Sequence, residues 1–576
     1  MQTLGRDIQP SGVSNNGRPP VQRRLTPLDE VMRRLLGLPT PVTRRISIER
    51  DLPVPMRDGV HLPAEHYRPS GSDTAQLPTI LIRTPYGRGG SNPRVARAVA
   101  AQGFHVVLQS CRGTATGTGE FAPLRHERED GLDTVAWLAN QPWYTGRLCG
   151  FGFSCGGYAK WAFAADAGDH LIAMTMTATA AQFTGSIYTG GAFSVDSVLT
   201  WVWGLGALAP DPERQPNLIE SWRGRARLRA ALAHLPLNEA DRVVTGKRVG
   251  FFQEWLAEDD PTGEYWLERD HRSRVAGVQA PIHMVGGWYD VMLPCQLDDY
   301  AALCKAGHRP YLTIGPWKHN GSGLFRRSVS EAVAWYKAHA DGRPTVREYP
   351  VRVHIGGLNE WRDYSQWPPT GARPTAWYLR AGGGLNPTAA ESDKRDAFTY
   401  DPVDPTPSLG GPRLAARAAG RRDNRRLESR PDVLTYTSEP LDAAVEILGP
   451  VTATVHVSSS REHFDMFVRL CDVDKSGRSW NVCDGLTRVS AGAADTSGVR
   501  RVEVALWPTA HRFQPGHRIR VQVSGGAHPR FARNPGTGAA PAEPTDLVAV
   551  RHEVHSSPLY KSAIELSLVE VVSGPA

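Results

Sequence analysis

The chain has 576 residues, 57 of them glycine and 45 proline, and a formal net charge of +7. That length exceeds one ordinary domain. No apolar run approaches the roughly 18 residues of a membrane span, and no stripe of basic residues interleaved with aromatics marks a nucleic-acid surface, so a soluble globular protein with neither membrane nor nucleic-acid partner is expected.

Residues 1–45 read as an N-terminal arm. The first twenty are polar, without the apolar core of a secretory signal. A short amphipathic helix over Leu28, Val31, Met32, Leu35 and Leu36, flanked by Arg23, Arg24, Arg33 and Arg34, is expected to dock the arm onto the main body. Seven cysteines, an odd number in no metal-ligand spacing, read as reduced thiols of a cytoplasmic protein.

From residue 46 to 182 short apolar runs alternate with helical patterns, the signature of parallel α/β units. "TILI" at 79–82 and "HVVLQ" at 105–109 suit strands buried on both faces. Leu132, Val135, Ala136 and Ala139 form one helix face, which stops near Pro142. From 183 to 274 tryptophans and leucines recur at helical spacing (Leu218, Ile219, Trp222, then Leu228 and Leu232), which predicts a helical cap inserted in the α/β domain. The α/β pattern resumes from 275 to 346, with "PIHMVGG" at 281–287 and "YLTIG" at 311–315 as strands. From 347 to 576 the period becomes two: Val451, Ala453, Val455 and Val457 alternate with polar residues, as do Ile519, Val521 and Val523. That predicts an all-β jelly roll, interrupted by long loops near 401–431 and 527–545. Asp472-Val-Asp474-Lys-Ser476-Gly477 opens like a calcium loop, but Cys483 stands at its twelfth position, so it reads as a hairpin turn.

The chemistry centres on Gly152-Phe153-Ser154-Cys155-Gly156, a G-x-S-x-G elbow with "RLCGF" as the entering strand and "GGYAKWAFAADA" as the departing helix. The same stretch nearly spells a dinucleotide loop, but Cys155 replaces the third glycine. A serine nucleophile needs a base, and the base an orienting carboxylate, in the order Ser, Asp, His on this fold. Asp290, three residues beyond Gly287, and His319, beyond Gly315, stand at two later strand ends. Asp298 and Asp299 compete for the acid role, but their segment reads as a helix that points them to solvent. His283 and His308 read as structural. The oxyanion needs two donors: the backbone N–H of Cys155 is one, and Tyr86 in "LIRTPYGRGG" is a candidate for the other. Phe153, Trp288 and Trp317 are the substrate-binding candidates.

Several stretches together carry a family resemblance: "IRTPYG" at 82–87, "CRGTATGTGEF" at 111–121, "DGLDTVAWLANQPWYTGRLCGFGFSCGG" at 130–157, "GGWYD" at 286–290, "GPWKHNG" at 315–321, and "FVRLCDVDKSGRS" and "PRFARNPGTG" near the end. The sequence resembles the cocaine-esterase-like hydrolases, relatives of X-prolyl dipeptidyl aminopeptidases and α-amino-acid ester hydrolases. The resemblance implies an α/β-hydrolase domain with a helical cap and a C-terminal jelly roll, with Ser154, Asp290 and His319 as nucleophile, acid and base and Tyr86 as a hydroxyl donor to the oxyanion. Two departures stand out. Ser110 occupies a position where relatives carry Asp, and Asp290 is followed by Val-Met-Leu-Pro rather than by the carboxylates that hold a substrate amine.

The expected activity is hydrolysis of small-molecule carboxylic esters or amides through an acyl-enzyme, with no metal and no organic cofactor. The same acyl-enzyme would serve an acyltransferase with an amine or alcohol acceptor. A catalytically silent binding protein on the same fold is the alternative of another class, and a homo-oligomer is left open.

Overall fold

The computed structural model describes residues 19–71, 76–114, 117–208, 218–343, 347–492, 494–540, 542 and 546–570. Its first sheet has eleven strands in the spatial order Val21–Arg24, Arg45–Pro55, His61–Pro69, His105–Ser110, Thr79–Thr84, Leu148–Phe153, Leu171–Thr177, Ile282–Tyr289, Tyr311–Lys318, Val351–Ile355 and Glu360–Tyr364. From His105–Ser110 to Val351–Ile355 the pairing is parallel. Such strands are covered by helices on both faces, which is why their sequences are continuously apolar; His105–Ser110, for example, is buried at all six positions. Val351–Ile355 and Glu360–Tyr364, expected to belong with the later β strands, instead close the edge of this sheet.

The helix ahead of the elbow runs Glu127–Ala139, but its buried stripe is Gly131, Thr134, Val135 and Leu138. Ala136 and Ala139, expected in that face, are exposed. Gly131 is the reason: a Cβ there would stand 2.3 Å from the Phe163 ring, so the helix turns its smallest residue to the neighbouring helix Cys155–Ala164.

The N-terminal helix, Pro27–Leu35, starts with a capping box between Thr26 and Asp29. It docks through only part of the expected face. Leu28, Val31 and Leu35 are 61%, 52% and 63% exposed, while Met32 and Leu36, the other two of the expected five, pack on the α/β core beside an Asp29–Arg97 ion pair at 2.6 Å. The buried carboxylate with its charge-assisted partner sets which part of the apolar stripe faces the protein.

Among the described residues between the strands ending at Thr177 and beginning at Ile282 lie seven α-helices from Thr184–Ile187 to Arg272–Val275, with a small hairpin, Tyr188–Thr189 and Ala192–Phe193. Leu228 and Leu232 are buried in this cap as expected; Trp222 is exposed. The side chains of Leu218 and Ile219 lie outside the described residues.

The remaining strands form a second, eleven-stranded, mainly antiparallel sheet that folds into a β-sandwich. Val451, Ala453, Val455 and Val457 point into its core at 0–1% exposure, as period two requires. The calcium-like stretch is the hairpin joining Phe464–Val473 to Ser479–Val489: Asp474 caps the turn by accepting from the backbone N–H of Ser476 and Arg478. Among the described residues no helix is long and apolar enough to cross a membrane.

Candidate active site

The elbow forms because two close backbone approaches leave no room for a side chain. A Cβ on Gly152 would stand 2.5 Å from the Gly157 Cα, and one on Gly156 would stand 2.7 Å from the Arg83 carbonyl oxygen. The strand Leu148–Phe153 therefore turns at once into the helix Cys155–Ala164, and Ser154 between them takes φ 53°, ψ −129°. Such a conformation costs about 1–3 kcal/mol and persists only when the surroundings over-determine it. Here the Ser154 N–H donates to the Thr177 carbonyl at 3.0 Å, and its carbonyl accepts from the Gly157 N–H at 2.8 Å and the Thr179 hydroxyl at 2.7 Å.

The turn aims the Ser154 hydroxyl at His319. Oγ lies 2.9 Å from His319 Nε2, and His319 Nδ1 lies 3.1 Å from both carboxylate oxygens of Asp290. A carboxylate only accepts, so Nδ1 carries the proton and Nε2 is left to accept from serine. His319 follows the strand Tyr311–Lys318, and Asp290 follows Ile282–Tyr289. Asp290 is fully buried; its Oδ1 accepts from the Met292 N–H at 2.8 Å, and its backbone carbonyl accepts from the Trp507 indole N–H at 3.0 Å. Trp507 belongs to the second sheet, so the β-sandwich fixes the loop that presents the acid. The structure thus brings the three predicted residues into one hydrogen-bonded line.

Cys155 opens the helix after Ser154, so its N–H belongs to the first turn, which has no intrahelical acceptor. Its thiol is buried and pushed well above the usual range by that burial, which keeps it protonated beside the serine. Tyr86, in the loop after Thr79–Thr84, lines the same cavity. Burial raises its phenol, with Cys155 adding to the effect and contacts from Trp201 and Ser154 opposing it. The loop is held by Arg88, which donates to Ser110 Oγ at 3.3 Å and pairs with Asp51 at 3.0 Å. Asp51 supplies the carboxylate that Ser110 does not.

The cavity above Ser154 has a volume of about 290 Å³. On the helix Val195–Leu208, Val195, Leu199 and Val202 turn into the cap core. Ser197, Thr200, Trp201 and Gly204, one stripe at helical spacing, line the cavity instead. Trp203 and Trp255 from the cap, Phe183, Ile187, Val291, Met292 and Phe153 complete an apolar wall. Leu414 reaches in from the loop near 401–431 of the β-sandwich, where its carbonyl accepts from Asn320 Nδ2 at 3.1 Å. No Asp or Glu other than the buried Asp290 stands at this site among the described residues lining it.

Of the three substrate-binding candidates only Phe153 lines the cavity. Trp288 is 5% exposed, packs on Trp367 in the core between the two sheets, and donates to the His354 carbonyl at 2.7 Å. Trp317 turns away to pack against Trp361, ring centroids 5.5 Å apart, and its ring fills the space over Gly315 and Gly323. The helix Leu293–Lys305 forms as expected and Asp298 is exposed, but Asp299 is not at solvent. It is 1% exposed and accepts from the Ala181 N–H at 2.7 Å, tying the start of the cap to the α/β domain. His283 pairs with Glu331 at 2.9 Å, and His308 contacts the Ala276 carbonyl. Sequence reasoning missed Trp201, Trp255 and Leu414, whose only sequence signals were cap helicity and a long loop.

Residues 58–321 match the family model for the X-Pro dipeptidyl-peptidase (S15 family), and residues 339–565 match that for the X-Pro dipeptidyl-peptidase C-terminal non-catalytic domain. The chain is 29% identical over 572 residues to the cocaine esterase of Rhodococcus sp. strain MB1 Bresler, covering 91% of this chain and 99% of the relative. Among solved structures, an aminopeptidase from a marine sediment Thaumarchaeota archaeon superimposes with a TM-score of 0.77 at 22% identity, over 91% of this chain and 97% of the other. A CocE/NonD family hydrolase from Staphylococcus aureus gives 0.68 at 17%, over 92% and 95%. Joined to an α/β-hydrolase domain with a helical insert and a C-terminal β-sandwich, these matches show that the chain belongs to the cocaine-esterase-like serine hydrolases of the S15 X-Pro dipeptidyl-peptidase family.

Proposed function

We propose that the protein hydrolyses small, uncharged carboxylic esters with an apolar acyl or alcohol part, through an acyl-enzyme on Ser154. The observation that carries this reading is the Ser154–His319–Asp290 line at the floor of an aromatic cavity. Ser154 Oγ attacks the ester carbonyl while its proton passes to His319 Nε2, and Asp290 stabilises the resulting imidazolium. The carbonyl oxygen, now negative, accepts from the Cys155 N–H and the Tyr86 hydroxyl. Collapse of this intermediate breaks the bond to the alcohol, which leaves with the proton from His319. Water then repeats the sequence, deprotonated by the same nitrogen, and releases the acid and free Ser154.

The wall favours apolar substrate, since burying a phenyl- or butyl-sized group there removes apolar area from water at about 25 cal/mol per Å². With no further carboxylate among the described residues of the wall, a free α-amine finds no counter-charge there. The test pairs labelling with kinetics. A fluorophosphonate probe should label Ser154 and nothing in Ser154→Ala, and p-nitrophenyl butyrate should be turned over. An N-acetylated aminoacyl ester should be cleaved at least as fast as the free amine. A preference of about 100-fold for the free amine, near 2.7 kcal/mol, would overturn the uncharged-substrate reading.

A further inference from the structure

Among the described residues, the cap reaches the oxyanion site through the Trp201 indole. Trp201 Nε1 lies 3.1 Å from the Tyr86 hydroxyl, and the direction of that bond is fixed by chemistry. An indole N–H donates and never accepts, so the phenol oxygen must be the acceptor. A hydroxyl has one proton to give; with Trp201 occupying an acceptor direction, that proton is left to point elsewhere. A second hydrogen-bonding neighbour is the Ser154 hydroxyl, beside which the substrate carbonyl must sit. A phenol that accepts one hydrogen bond also donates a stronger one, because the two polarise each other.

The indole itself is immobilised. Trp201 stacks on Trp255 with centroids 5.7 Å apart and planes at 7°, and further ring contacts come from Phe121 and Phe251. Trp255 is buried, and its backbone carbonyl accepts from the Tyr188 hydroxyl at 2.6 Å. The donor is thus mounted on the cap's own aromatic core, while the phenol that it orients belongs to the α/β domain.

We infer that Trp201 is a positioning residue for the oxyanion site: from the seated cap it holds the Tyr86 hydroxyl as an acceptor, so that the phenol proton is presented to the substrate oxygen. Assembly of the oxyanion site then depends on cap seating. The inference rests on the oxyanion role given to Tyr86 above, and its test separates the two.

Acylation by p-nitrophenyl butyrate is followed by the stopped-flow burst, which yields the acylation rate constant and the substrate dissociation constant separately. Four proteins are compared: wild type, Tyr86→Phe, Trp201→Phe and the double variant. Tyr86→Phe should lower the acylation rate about 10²–10³-fold. Trp201→Phe should lower it about tenfold, the worth of one ordinary hydrogen bond, yet should add less than twofold in the Tyr86→Phe background. Replacing Trp201 by β-(3-benzothienyl)alanine, which keeps the bicyclic shape and exchanges the N–H for sulfur, should reproduce the tenfold loss with the dissociation constant and thermal midpoint unchanged. Equal losses for Trp201→Phe in both backgrounds, or full activity of the benzothienyl protein, would overturn the inference while leaving Tyr86 in place. A normal rate for Tyr86→Phe alone would remove the oxyanion role itself, and the inference with it.

Discussion

Ser154 combines two demands that pull apart: a nucleophile must be exposed to substrate, and its backbone must hold a conformation that serine disfavours. The structure meets both by clamping the Ser154 backbone with four hydrogen bonds and leaving the hydroxyl 2.9 Å from His319. If the three residues act as a unit, replacing Ser154 or His319 by alanine should lower kcat by about 10⁶, and replacing Asp290 by about 10⁴. Turnover within tenfold of wild type in a folded variant would remove that residue from the mechanism. These three positions were legible because each sits beside a glycine at the end of an apolar run, where strand, turn and reactive side chain are adjacent in sequence. Trp288 and Trp317 misled for the same reason. They neighbour Asp290 and His319 in sequence, but each lies inside its strand while the acid and the base lie in the turns beyond the strand ends, and each tryptophan turns into packing rather than into the cavity. Trp201 and Leu414 could not be found in this way, since nothing local distinguishes a cap tryptophan that faces the site from one that faces solvent, as Trp222 does.

Two elements beside the site hold buried ionisable groups. The loop carrying Leu414 is pinned to the cap by Arg413, whose guanidinium lies 2.7 Å from Asp196, a fully buried residue in the helix Val195–Leu208. Removing one partner of such a pair strands the other charge and costs about 3–5 kcal/mol, whereas removing both is far milder. Arg413→Met should therefore lower the urea unfolding free energy by about that amount and raise KM through displaced Leu414, and adding Asp196→Leu should recover most of the stability. A single variant as stable as wild type would mean that the pair does not clamp the loop. The helix Glu127–Ala139 carries the second charge. Burial raises the Glu127 carboxyl to about 7, with Asp130 adding to this and Arg83 and Arg112 opposing it. Since this folded value lies above the unfolded one near 4.3, the folded state binds the proton more tightly. The contribution is whole below the unfolded value and is lost as pH rises through 7. Glu127→Gln imitates the protonated form, so its stability relative to wild type should grow between pH 5 and pH 8. A difference that stays constant over that range would mean Glu127 does not titrate there.

At the scale of the whole molecule the alternation of apolar runs and helices gave away the α/β domain, and period two gave away the β-sandwich, because both patterns reflect which faces are buried. What periodicity could not say is which sheet a strand joins. Val351–Ile355 alternates like the strands after it, yet pairs in parallel with Tyr311–Lys318. This has an energetic consequence. One hydrophobic core runs without a break from Leu52, Leu81 and Leu148 through Trp288, Leu293 and Tyr300 to Trp367, Trp507, Ile519 and Leu566, so both sheets contribute to it. The Trp507 bond to Asp290 and the isolated bridge between Gly356 and His511 cross the same boundary. Domains joined only by a small polar interface unfold separately, whereas two layers sharing one apolar core lose that core together. Differential scanning calorimetry of the intact chain should therefore show one main transition, and loss of p-nitrophenyl butyrate turnover should follow the same midpoint. Trp507→Ala, which opens a cavity in the shared core, should lower that midpoint without splitting the peak, because a buried tryptophan truncated to alanine typically costs about 3–5 kcal/mol. Two resolved transitions in the wild type, with activity lost at the first, would show that the sheets hold their own cores and that Trp507 merely touches the acid loop.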